Sequence, residues 1–446
     1  MFSIYNLLTI LFIKGASRYN FIEMLKNIFR RIIYIALSLL FMLVAITSSS
    51  WSPVDFSDKI RFYTRQFEFD YTGWEFSSVW GKLSNTSIGV VHYLNNSQQR
   101  KIIEDYFALL KTANGLKRNI SEIYSDPNNS NPGEKAIPFE GELKKISTIL
   151  INQKQFAESI LQYQIGQAIQ SLGLANIGTP LPPILFQTTE LPKQLIVSPR
   201  TTISQEESVS LIAKMSLDEI IELENSVENS SNHSALVVSI GGVSTYPTMV
   251  INTTNIRYLI ETVAHEWMHN YLFFRPLGLR YSSSPELRIM NETVASIAGE
   301  EISEAVLKMF YPSLIEQRMI EPKILQASLS ESPPAREYFN FSKEMYATRV
   351  IVDDLLSQGK VEEAEYFMEE RRLVFWENGY HIRKINQAYF AFHGAYADQP
   401  FSAAGKDPVG DDVRFFRARH SSLVSFIKRM SWMYTYSQLH ITARAF

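Results

Sequence analysis

The chain has 446 residues, 46% hydrophobic and 20% charged, which describes an ordered protein large enough for two or three subdomains and excludes a disordered one. It has no cysteine, so disulfides, thiol nucleophiles and Cys-ligated metals are excluded, and any metal must rely on His, Asp and Glu. The net charge of −3 is uneven: Lys14, Arg18, Lys26, Arg30 and Arg31 against Glu23 give the first 50 residues +4 and leave −7 for the rest, an acidic balance that argues against nucleic acid as a partner.

Residues 32–46, IIYIALSLLFMLVAI, form an apolar run that continues uncharged to Pro53, directly after Arg30 and Arg31. About 20 uncharged residues suit one membrane crossing, and the basic flank places the N-terminus in the cytoplasm and the rest of the chain on the extracytoplasmic side. A buried core helix fits poorly because no face is polar. No small-x-small site follows, so an uncleaved anchor is expected rather than a cleaved signal peptide. Met24 opens a conventional signal segment, so an upstream start codon would account for the first 23 residues.

Residues 98–116 and 143–172 carry apolar side chains at helical spacing, separated by the turn-rich stretch 125–134. His92 is isolated there and reads as structural. Short apolar runs at 184–188, 194–198 and 235–240 predict strands, with a helix over 204–223 and a polar loop over 224–234. Gly241, Gly242 and Tyr246 follow. Glycines let a ligand approach the backbone, so this segment reads either as an edge strand that pairs with a peptide substrate or as a plain turn between core strands.

Residues 261–270 read Glu-Thr-Val-Ala-His265-Glu266-Trp-Met-His269-Asn. On a helix, histidines four apart share one face, so His265 and His269 can bind one zinc ion with Glu266 beside it. The ion would lower the pKa of a bound water to about 7, and Glu266 would take its proton as general base in peptide hydrolysis. The expected helix spans 255–274, capped by Thr253 or Thr254, and is apolar over most of its circumference. Downstream, helices are expected over 301–319, 335–356, 361–376 and 411–433, with a helix-turn-helix junction at Gly359.

A catalytic zinc needs a third protein ligand. The Gly-x-x-His continuation of metzincins is absent. Instead the stretch from Pro285 to Ser296 opens a second helix, and its Asn291-Glu292 resembles the gluzincin peptidases, the group containing thermolysin and the aminopeptidase N type. The resemblance makes Glu292 the third ligand, 23 residues after His269, with Glu286 as rival. Thermolysin-like enzymes carry an aspartate four residues after that glutamate; this chain has Ser296, and Glu300 one turn on could substitute, with a solvated helix face as the other reading of Glu300 and Glu301. Gluzincins also place a tyrosine or histidine opposite the zinc to stabilise the oxyanion; the resemblance offers Tyr396 ahead of His393 for that role, with core packing as the other reading of both. The 385–397 segment is similar to an Asn-Asn-Ala and later Tyr pattern of bacterial putative aminopeptidases, with Gln387 in place of the second Asn.

These readings predict an α+β, predominantly helical protein: a cytoplasmic N-terminus and anchor (1–50), a helical subdomain (51–175), a zincin-like core with a small sheet beside the motif helix (176–320) and a helical C-terminal region completing the site (321–446). The expected function is membrane-anchored, zinc-dependent peptide hydrolysis, with an aminopeptidase preferred by resemblance and an endopeptidase as rival. The alternative is a non-catalytic membrane-anchored binding or assembly protein with a decayed or coincidental motif.

Overall fold

The computed structural model describes residues 30–38, 40, 55–86, 89–125, 131–175, 178–315, 339–394 and 408–444. The chain divides into two units, Met1–Phe62 and Tyr63–Phe446. In the first, residues 30–38 are helical, with Ile32, Tyr34, Ile35 and Leu37 exposed. Most of the expected membrane span lies outside the described residues, and among those described no helix is long and apolar enough to cross a membrane.

The elements in order are α1 (Phe56–Thr64), α2 (Tyr71–Thr86), α3 (Asn96–Ser125), α4 (Pro132–Ser171), β1 (Phe186–Thr189), β2 (Lys193–Pro199), β3 (Glu207–Leu211), α5 (Leu217–Ser230), β4 (His233–Ser239), β5 (Gly242–Val243) and β6 (Thr248–Ile251). Then follow α6 (Ile256–Leu272), α7 (Pro276–Leu279), α8 (Pro285–Phe310), α9 (Phe341–Ser357), α10 (Val361–Glu377), α11 (Gln387–His393), α12 (Pro408–Ala418), α13 (Leu423–Met430) and α14 (Tyr436–Arg444). Helices dominate and the strands form two small sheets, the expected α+β class.

Two expectations are corrected. The stretch 204–223 is not one helix: its first half is β3, paired antiparallel with β2, and α5 then runs through most of the predicted 224–234 loop. The helix starts where Ser216 and Glu219 form a capping box, each side chain bonded to the other's backbone N–H. The stretch 411–433 likewise splits into α12 and α13, because the Ser422 side chain accepts from Ser425 N and opens a new helix.

The first sheet has the order β3-β2-β4, all antiparallel. Leu195, Ile196, Val197 and Ser198 are all buried, because α5 covers one face and α11 packs on the other. That two-sided cover explains why β2 reads as a continuous apolar run. Glu224 of α5, almost fully buried, accepts from Arg383 and from Val237 N, tying α5 to β4 and to the approach of α11.

The second sheet has the order β1-β6-β5, with β6 parallel to β1 and antiparallel to β5. It lies beside α6, whose buried residues Leu259, Ile260, Val263, Ala264, Trp267, Met268, Tyr271 and Leu272 surround most of the helix. One hydrophobic cluster joins side chains of α3 and α4 to α6, α8 and α12–α14, so the motif helix runs through the centre of the core. A second cluster fills the space between the β3-β2-β4 sheet and α9–α11. Gly359 has a φ of +74° between α9 and α10, the left-handed turn expected at that junction.

Candidate metal centre

Helix α6 begins at Asn255, whose side chain accepts from Tyr258 N; it is this residue, and not Thr253 or Thr254, that caps the helix. Asn270 at the far end donates to Thr245 O and to Thr248 Oγ1, which fixes the β5–β6 turn against the helix. Between them, His265 and His269 lie one turn apart with their rings 4.8 Å apart. Helix α8 packs along α6 because Gly299 has no side chain: a Cβ there would come 2.9 Å from Glu261 O and 3.3 Å from His265 Cβ. This close approach brings Glu292, two turns earlier on α8, to the two imidazoles.

His265 Nε2 and His269 Nε2 are 3.1 Å apart, and Glu292 Oε2 lies 3.4 Å from the first and 3.5 Å from the second. Ligands held at 2.0–2.1 Å on a tetrahedral ion sit about 3.3 Å from one another, so the triangle already has the dimensions of three ligands. Glu292 is 3% exposed, and its Oε2 is buried without a hydrogen-bond partner. An orphaned carboxylate oxygen is costly unless a cation meets it. The residues therefore fit a metal ion, and among the described residues they form a His-His-Glu group with metal-ligand spacing.

The electrostatics agree. Burial opposes charge on His269, but the adjacent Glu292 and Glu266 carboxylates outweigh it and push the imidazole up to about 9. Burial likewise disfavours ionised Glu292, yet His269 and His265 hold it well below the usual carboxylate range. The centre of the group favours positive charge.

Three supporting residues were missed in the sequence reading. Asn291 Oδ1 lies 2.7 Å from His269 Nδ1, while Asn291 Nδ2 donates to Leu277 O at 3.2 Å. Tyr281, in the loop before α8, donates its hydroxyl to Glu292 Oε1 at 2.5 Å. Ser244 donates its hydroxyl to Glu266 Oε2. Asn291 precedes a named ligand, which is a local signal; Tyr281 and Ser244 have none, since only the tertiary fold brings them to the site.

Glu266 is buried on α6 beside β5. A Cβ on Gly242 would come 2.5 Å from Glu266 Oε1, so the glycine gives the carboxylate its room. A Cβ on Gly241 would meet the Tyr258 hydroxyl at 2.4 Å. β5, two residues long, is an edge strand of its sheet, as β1 is. Tyr246 lies just beyond it, bonded through its hydroxyl to Pro183 O, and is absent from the walls of the cavities at the motif.

Two cavities meet at Gly242, His265 and Glu266. One, of about 470 Å³, is walled by Ser244, Phe273, Leu279, Tyr281 and Glu292; the other, of about 560 Å³, by Tyr258, Glu261, Ser296 and Glu300.

Ser296 Oγ stands 3.5 Å from His265 Nδ1, in reach of the imidazole edge that faces away from the group. Glu300 is exposed and lines the larger of these cavities, and Glu301 pairs with Arg417 at 2.6 Å. Glu286 sits in the first turn of α8 and is not part of the His-His-Glu group. His92 packs edge-on against Tyr163, a structural contact. His393 ends α11 against Tyr389, ring centroids 4.3 Å apart, and is likewise outside the group. Tyr396 lies outside the described residues.

Comparison with protein-family models, with curated proteins and with solved structures finds no match to this chain.

Proposed function

We propose that the chain is a zinc-dependent peptidase in which His265, His269 and Glu292 hold the ion and Glu266 is the general base. The observation that carries this reading is the buried Oε2 of Glu292, without a hydrogen bond yet at ligand spacing from two imidazole nitrogens, with the Glu266 carboxylate in the same cavity wall. The His-Glu-x-x-His spacing and the resemblance to gluzincins support zinc over other divalent ions, because imidazole and carboxylate at tetrahedral spacing suit it.

A zinc ion supplies the Lewis acidity that makes water nucleophilic near neutral pH. Glu266 accepts that water's proton and returns it to the departing amine. Ser244 holds one oxygen of Glu266, and Gly242 leaves the other free of steric contact, so the carboxylate is oriented before substrate arrives. The open side of β5 supports binding of an extended peptide by strand addition, with Gly241 and Gly242 allowing close approach and Tyr246 at the far end of that segment. Tyr396 and His393 remain the proposed oxyanion donors from the 385–397 segment. The apolar run behind Arg30 and Arg31 supports attachment to a membrane with the site on the extracytoplasmic side.

Two cavities that share Gly242, His265 and Glu266 in their walls favour cleavage within a chain over removal of a terminal residue, the activity that the resemblance alone would prefer. Hydrolysis of an internally quenched peptide with a blocked N-terminus, with and without a chelator, tests this. Chelator-sensitive cleavage is expected. Cleavage confined to peptides with a free N-terminus would favour the aminopeptidase, and no cleavage of either class would defeat the peptidase reading.

A further inference from the structure

Glu292 presents its two oxygens to different partners. Oε2 faces the imidazoles, whereas Oε1 accepts the Tyr281 hydroxyl at 2.5 Å. The phenol stands edge-on to His269, ring centroids 6.1 Å apart, so the same ring is packed against a second member of the group. Arg288 lies over the same ring, 5.8 Å from its centre. An ionised carboxylate only accepts, so the phenol hydroxyl is the donor of the bond to Glu292.

Carboxylates bind metals through one oxygen or two. Glu292 itself is 3% exposed, and an Oε1 released from the Tyr281 hydroxyl would turn to the ion beside it as readily as to water in the cavity. That would fill the position a catalytic ion must keep open. The geometry points to Tyr281 as a positioning residue that occupies Oε1, restricts Glu292 to one metal-binding oxygen and thereby keeps the fourth coordination position open. This rests on the metal reading of the group and adds the element that decides its coordination number.

The test uses Tyr281→Phe, which keeps the ring and removes only the hydroxyl, with circular dichroism to verify folding. Zinc affinity is measured by chelator competition, and the cobalt(II)-substituted forms are compared by visible absorption. Zinc binding is expected to weaken tenfold to a hundredfold, in the range of other outer-shell changes. The cobalt bands are expected to lose intensity as the coordination number rises. A double-mutant cycle with Glu292→Ala separates positioning from general destabilisation: the effect of Tyr281→Phe should vanish in the Glu292→Ala background. Unchanged affinity and spectrum in Tyr281→Phe, or an equal loss in both backgrounds, would overturn this inference alone. A wild-type protein that takes up no metal would overturn the metal reading beneath it.

Discussion

Asn291 fixes the tautomer of His269. Its amide nitrogen is committed to Leu277 O at 3.2 Å, so its carbonyl oxygen is the atom facing His269 Nδ1 at 2.7 Å, and Nδ1 must carry the proton. When the imidazole is neutral its lone pair therefore falls on Nε2, which faces His265 and Glu292, as a metal ligand requires.

Asn291→Ala should therefore weaken metal binding by about ten- to a hundredfold while leaving the fold intact, measured by chelator competition and circular dichroism. Asn291→Asp keeps an acceptor opposite Nδ1 and should retain most of the affinity.

Gly242→Ala places a methyl group against the Glu266 carboxylate, with no room short of displacing it. Metal content should be unchanged, because none of the three ligands is touched. If Glu266 is the base, kcat should fall about a hundredfold, as for other small misplacements of a reacting group.

Gly299→Ala opposes two effects. Alanine is the better helix former by about 1 kcal/mol, but its Cβ would meet Glu261 O at 2.9 Å and His265 Cβ at 3.3 Å across the α6–α8 contact. The first of these is backbone on a buried helix and cannot give, so overpacking wins and a net loss of about 1–2 kcal/mol is expected. Denaturant midpoints measure it, and weaker metal binding should accompany it because His265 is displaced.

Burial pushes the His393 imidazole down to about 4. A depressed folded value means that the unfolded chain takes up a proton first, below its own value of about 6.5. Stability present above pH 6.5 is therefore lost as the pH falls towards 4, by at most about 3 kcal/mol from this residue. His393→Phe should flatten the pH dependence of the denaturant midpoint in that window.

The parts of the site legible in the sequence were those set by spacing along one helix or by a neighbouring pair. His265, Glu266 and His269 fall together because four residues make about one helical turn, whereas Glu292, two turns into α8, was singled out only by the resemblance of Asn291-Glu292 to gluzincins, with Glu286 as rival. Tyr281, Ser244 and the need for Gly299 were not legible, since each depends on how two elements approach in space. Residues 204–223 differ, because their local pattern already pointed to the observed structure. Val209 and Leu211 stand two apart, the alternation of a strand and not of a helical face, and both are buried where the segment pairs with Lys193–Val197 of β2. The Ser216–Glu219 capping box was the local signal that a helix begins only afterwards.

The most direct test of the central claim is metal content and peptide hydrolysis measured side by side on the wild type and Glu266→Gln, both purified without chelators. One zinc per chain in both proteins, with hydrolysis in the wild type reduced a thousandfold or more in the variant, on the order of losing a general base, is the predicted result. A wild type that neither contains nor takes up a divalent metal, or a metal-loaded Glu266→Gln as active as the wild type, would contradict it.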